Sequence, residues 1–269
     1  MSSSPHPCIT VSSPPPLARH YNSSLSIWLS VDPMADKYPG VSPYTYCGNN
    51  PVRLVDADGR AWEILGEAYT PGTEYTGDND RAKILWGTME KIYSTPFGKK
   101  VIDRMNKVTT VYKITDAKCS KIDNPCYYNP DHTIYLNQSG DLTQQSAPLI
   151  KTLAHEMFHG YQYLKGQGGT STHNETEAYM FEGILFGVSN NGLAPRRTDG
   201  LGDSYFEAFY KFKEWSSVLP KSEEEFNNVF DPIRNEFKQK SMANMQGAYK
   251  DYSTTSPKRN LLRDLIFEQ

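Results

Sequence analysis

The sequence predicts an α+β fold, mainly helical with a small β-sheet, preceded by a turn-rich segment. From Asn79 onward, apolar residues recur at helical spacing. Two short stretches alternate β-branched and aromatic residues in the manner of strands. Between about residues 27 and 60, prolines, glycines and asparagines crowd too closely for a long helix. At 269 residues there is room for one sizeable domain plus an appendage.

Residues 1–26 are rich in Ser and Pro, Pro14-Pro15-Pro16 among them, and bury too little apolar surface to order themselves. We expect disorder there. Residues 27–60 follow with Val31-Asp32-Pro33-Met34, then Tyr44-Thr45-Tyr46-Cys47-Gly48-Asn49-Asn50-Pro51, and close on Asp56-Ala57-Asp58-Gly59-Arg60. Short strands and tight turns suit this text. Through Asp32-Pro33, the Tyr44 to Asn50 run and the terminal Asp-x-Asp-Gly, it resembles the last segment of the core of Rhs and YD-repeat proteins. In that family the repeats build a shell around a variable C-terminal toxin, which self-cleavage at a related Asp-Pro-containing motif releases. The resemblance implies that residues 61–269 are a toxin domain, made in the bacterial cytoplasm and delivered into a target cell. A protein substrate in that cell and an immunity protein would be its partners. Here Ala57 stands where the family usually has Pro, and the repeats themselves are absent.

Within 61–269, Ala82, Ile84, Leu85, Met89, Ile92 and Tyr93 predict one helix, and Ser94-Thr95-Pro96 restarts another through Val101, Ile102 and Met105. Two helices are thus expected before the first strand. Residues 108–114 and 133–137 read as strands, the second following the turn Asn129-Pro130-Asp131. A helix is expected from Ser146-Ala147-Pro148 through Leu153, Ala154 and Phe158 to Leu164. The next begins near Asn174 and stops at Asn190-Asn191-Gly192. Beyond Tyr205, two or three amphipathic helices are expected, broken at Pro220, Pro232 and Pro257.

A net charge of −3 and a pI near 6.1 give no electrostatic case for gripping a phosphate backbone. Nucleic acid is not an expected partner. No stretch approaches 18 consecutive apolar residues, so no membrane span is expected, and the N-terminus lacks the basic and apolar regions of a signal peptide. The four cysteines are Cys8, Cys47, Cys119 and Cys126. Cys119 and Cys126 are close enough to pair, but ordinary core or loop thiols are the expectation.

The chemistry concentrates in His155-Glu156-Met157-Phe158-His159. Residues at i and i+4 of a helix lie about 40° apart around its axis, so two imidazoles can face one ion. Glu156, about 60° beyond His159, can reach a water on that ion. The expected cofactor is Zn2+, with His155 and His159 as ligands and Glu156 as the catalytic base. A third ligand must come from downstream, where Glu175 and Glu177 compete. They differ by about 200° around a helix, so both cannot face the same ion. His173 is a weaker candidate.

Glu175 precedes Ala178 by three, which resembles the Glu-x-x-Ala wording of the gluzincin superfamily. The resemblance makes Glu175 the first choice for third ligand and Glu177 the second, and implies a zincin-like metallopeptidase fold. Tyr179 stands where the family often has Asp, so a supporting carboxylate is missing at that place. Over about residues 80–200, taken as the catalytic core, the text resembles small zinc-peptidase effectors that bacteria deliver into other cells. Oxyanion stabilisers were sought among His173, Tyr179, Arg196, Arg197 and Tyr205. Two rival readings are a metal-binding or structural domain without catalysis, and a cysteine nucleophile at Cys119 or Cys126 paired with His132.

Overall fold

A computed structural model describes residues 62–108, 110–119, 125–137, 147–187, 203–243, 252–255, 257 and 259–268, with short pieces at 21–22, 25, 27–31 and 42–44. The chain divides into two compact units, residues 1–59 and 60–269. In the first, β1 (Tyr21–Asn22) pairs antiparallel with β2 (Ile27–Trp28). Tyr21 and Asn22 fall in the stretch expected to be disordered, and this pairing orders them. The rest of that stretch, Cys8 and Cys47, most of the Rhs-like text and its closing Asp56 to Arg60 motif lie outside the described residues.

The second unit is α+β. Its sheet has the order β4-β3-β5-β7-β6, formed by β3 (Trp62–Ile64), β4 (Glu67–Tyr69), β5 (Tyr112–Thr115), β6 (Cys126–Tyr128) and β7 (Thr133–Tyr135). β3, β5 and β7 run parallel, while β4 and β6 are antiparallel to their neighbours. Register aligns Ile64, Ile114 and Ile134 in one buried row. Tyr127 of β6, paired with Ile134, continues that row.

A strand hairpin thus precedes the first helix, contrary to expectation. Its strands are three residues each, too short for a visible alternation. Its two-residue turn puts both Leu65 and Gly66 at positive φ, a geometry whose usual sequence signal is Asn-Gly or Asp-Gly. Leucine at the first turn position conceals it.

Helices α1 (Asp80–Tyr93) and α2 (Pro96–Met105) follow as expected, started by the caps Asn79 and Thr95. Together with α3 (Ala147–Leu164) they form a layer: α1 packs on β3 and α3 on β6 and β7. Behind α3 lies α4 (Thr172–Phe186), capped by Ser171 and ended at Gly187, whose φ is 73°. It stops before the expected Asn190-Asn191-Gly192, which lies outside the described residues. α4 also packs against α6 (Glu223–Ala243) and α7 (Leu261–Phe267), and α5 (Asp203–Glu214) packs on α6. A helix covered on so many sides hides its polar residues as well as its apolar ones. His173, Asn174, Glu175, Thr176, Glu177 and Glu182 of α4 are all buried.

Two further expectations are overturned. Pro232 lies inside α6 and does not break it; Phe226, Val229, Phe230, Ile233 and Phe237, on both sides of the proline, are all buried. Burying each such side chain contributes roughly 1.5–3 kcal/mol, which together exceeds the roughly 3 kcal/mol that an interior proline costs. Cys119 and Cys126 are joined in a disulfide rather than left as thiols. The strand pairing that brings β6 beside β7, and the bond from Cys119 N to Asn137 Oδ1, carry the two ends of that loop together. No cysteine nucleophile is available there, and His132 instead meets Tyr127 Oη through Nδ1 at 3.2 Å. Among the described residues no helix is long and apolar enough to cross a membrane.

Candidate metal centre

The motif occupies the middle of α3, where Leu153, Ala154, Met157 and Phe158 are buried and hold the helix in the core. Phe158 stacks on Phe181 of α4, with ring centroids 4.6 Å apart. That contact brings α4 alongside the motif. Ala178, the small residue of the Glu-x-x-Ala text, is fully buried.

His155, His159 and Glu175 converge there as a buried group that can hold a metal ion. The two imidazole Nε2 atoms are 3.2 Å apart. Glu175 Oε2 lies 3.3 Å from His155 Nε2, and Oε1 lies 3.4 Å from His159 Nε2. Glu175 faces each imidazole with a different oxygen, one ligand atom from each residue lies within 4.8 Å of the others, and the set, two nitrogens and one carboxylate, suits a metal ion in chemistry. Glu177, the alternative, points elsewhere.

Of the ring nitrogens away from the centre, that of His159 has a hydrogen-bond partner. Gln162 donates through Nε2 to Asn174 O at 3.0 Å and to Glu177 Oε2 at 2.8 Å, so its Oε1 is left to face His159 Nδ1 at 2.8 Å. His159 must then donate from Nδ1 and present a lone pair at Nε2. His155 Nδ1 lies 3.8 Å from Glu182 Oε2 and has no hydrogen-bond partner among the described residues. Glu182, two turns after Glu175 on α4, places a carboxylate on that side of His155, where Tyr179 offers none.

Glu156 is buried, and its Oε2 accepts a hydrogen bond from Tyr127 N at 2.8 Å. β6 therefore fixes this carboxylate relative to the triangle. Gly160 makes the approach possible: a Cβ there would come within 3.1 Å of the Tyr127 ring and of Met105.

Burial raises the pKa of Glu156 above the usual carboxylate range, opposed by the two histidines. Burial also pushes Glu182 up to about 7. In the metal-free chain burial disfavours a charged His159, but the Glu175 carboxylate beside it prevails and raises it to about 9. Burial works against the charge of Glu175 too, and His159 and His155 overcome it, holding its carboxyl below its ordinary value. A cation is what this cluster of donors favours.

The remaining candidates are dispersed. Glu177, the second choice for third ligand, is fully buried away from the triangle. It accepts from Gln162, from Gln167 Nε2 at 2.6 Å and from Leu261 N at 2.7 Å. The arrival of α7 buries it, and nothing near Glu177 in the sequence announces that. His173 is buried against the Phe230 ring, with Nε2 3.3 Å from Glu177 Oε1 and away from the triangle. Tyr205 is buried against Phe206 and Phe209. Of the described oxyanion candidates, Tyr179 alone touches the centre, its ring 4.4 Å from that of His155. Arg196 and Arg197 lie outside the described residues. Sequence reasoning gave no role to Gln162 or Glu182. Glu182 stands seven residues after Glu175, which returns it to within about 20° of the same helical stripe.

No protein-family model matches the chain, and neither a curated protein nor a solved structure matches it.

Proposed function

We propose that the chain is a zinc-dependent endopeptidase, the C-terminal toxin of an Rhs-type polymorphic toxin, hydrolysing peptide bonds of a target-cell protein. The observation that carries the catalytic part is Glu156 held by Tyr127 N beside three metal-ligating side chains whose ligand atoms lie within 4.8 Å of one another. A metal site serving only the fold has no need of a fourth, non-ligating carboxylate buried at its side. The Rhs-like text of residues 27–60 carries the delivery part. The Cys119–Cys126 disulfide supports it, since such bonds persist outside the reducing cytosol.

Zinc bound by His155, His159 and Glu175 would supply Lewis acidity, which makes water a nucleophile near neutral pH. Glu156 takes the proton of the attacking water on Oε1, because Oε2 is engaged by Tyr127 N. It returns that proton to the leaving amine nitrogen. Its burial suits it to the task, since a base whose pKa lies nearer neutrality both accepts and releases a proton readily. Gln162 keeps His159 in the orientation needed, and the Glu182 carboxylate stands 3.8 Å from His155 Nδ1.

The test is Glu156→Gln in the full chain. Zinc content and fold should persist while proteolysis falls by about 10²–10⁴-fold, and with it toxicity to a host lacking an immunity protein. Undiminished toxicity of this variant would remove Glu156 from the mechanism.

A further inference from the structure

Glu177 and Gln162 are both buried almost completely, and neither is one of the three side chains of the donor group. Gln162 sits on α3 one turn after His159, and Glu177 sits on α4 about half a turn from Glu175. We propose that they form a positioning relay through which the C-terminal helix α7 sets the orientation of His159. This rests on the metal-binding part of the function proposed above.

The relay follows from donor and acceptor accounting. Leu261 N and Leu262 N, at the start of α7, point at Glu177 Oε1 from 2.7 and 3.4 Å. Gln162 Nε2 and Gln167 Nε2 point at Oε2 from 2.8 and 2.6 Å. Only a carboxylate accepts at both oxygens, and one engaged on each side cannot rotate. Its grip, with that of Asn174 O, fixes the amino end of the Gln162 amide. The carbonyl end must then face His159 Nδ1. Turning the amide over would set an N–H against the ring nitrogen and leave buried donors and acceptors mismatched, which costs far more than a surface hydrogen bond. The His159 tautomer is therefore decided by the docking of a helix about a hundred residues downstream in sequence.

A purely structural role for the pair predicts something different. A staple joining α3, α4 and α7 would matter to unfolding and leave metal affinity alone in any variant that folds. The relay makes metal affinity respond to which of the two positions carries the amide and which the carboxylate.

Two variants of the full chain separate these. Gln162→Met keeps the length and apolar stem of the side chain but cannot accept from Nδ1. Its zinc affinity, read by competition with a chromophoric chelator, should fall about ten- to a hundredfold, with altered cobalt absorption bands and an unchanged circular dichroism spectrum. Glu177→Gln keeps the shape of the carboxylate but, with its oxygen engaged by Leu261 N and Leu262 N, sets an amino group against Gln162 Nε2, so that the Gln162 amide can no longer be held with its oxygen toward His159 Nδ1. Its zinc affinity should also fall about tenfold or more, with altered cobalt bands and an unchanged circular dichroism spectrum. Wild-type zinc affinity in either folded variant would overturn the relay. A wild-type chain that binds no zinc fails the metal reading itself, and the relay with it.

Discussion

Glu182 stands two turns after Glu175 on α4, and its carboxylate approaches His155 Nδ1 to 3.8 Å. Carboxylates hydrogen-bonded to a ligating imidazole fix its ring and strengthen its basicity, typically by 10–100-fold in metal affinity, and Glu182 is the carboxylate placed to close this gap when a metal binds. Glu182→Ala should therefore weaken zinc binding at least tenfold in a chain that still folds, as chelator competition would show. Unchanged affinity would mean that the 3.8 Å approach has no bearing on the metal. At this scale the donor triangle was legible and its support was not. Spacing alone places His155 and His159 on one face, and the Glu-x-x-Ala wording singles out Glu175. The partners of Gln162 and Glu177 are fixed by where α7 docks, which no local pattern records.

Among the elements, β6 does the most with the least sequence signal. Three residues, Cys126-Tyr127-Tyr128, anchor the Glu156 carboxylate through one backbone N–H and lay a tyrosine ring over Gly160. No sequence-based strand was expected there, because a three-residue edge strand shows no alternation. The Cys119–Cys126 disulfide, with a sequence separation of 7, ties its start to the end of the chain segment leaving β5. Closing so short a loop constrains the unfolded chain by roughly 2–3 kcal/mol. Replacing both cysteines by alanine should lower unfolding stability in urea by about that amount while zinc content is retained. Loss of zinc from a folded double variant would show that the bridge, rather than the strand pairing, sets the centre. The long helices were legible from apolar spacing and caps. Pro232 was misread because the apolar side chains flanking it in α6 outweigh its local cost.

For the whole molecule, a sheet and two helices bring together three side chains that can hold a metal ion, with the Glu156 carboxylate beside them and α7 packed against α4. The α+β class was readable from the sequence, since helical spacing and short strands each left their mark. The placement of α7 came from contacts across the chain. The charge balance of the metal-free centre gives a pH signature. A His159 raised to about 9 from its ordinary 6.5 stabilises the metal-free fold fully below pH 6.5, and this contribution is lost as pH rises through 9. Zinc must displace that proton, so its affinity should rise with pH up to about 9. The most direct measurement is a zinc titration of the full chain at several pH values beside a variant carrying His155→Ala and His159→Ala. The expected result is one ion per wild-type chain, with proton release and affinity increasing toward pH 9, and no comparable binding in the variant. A wild-type chain that takes up no zinc, or a double variant that binds it equally well, would contradict the metal centre.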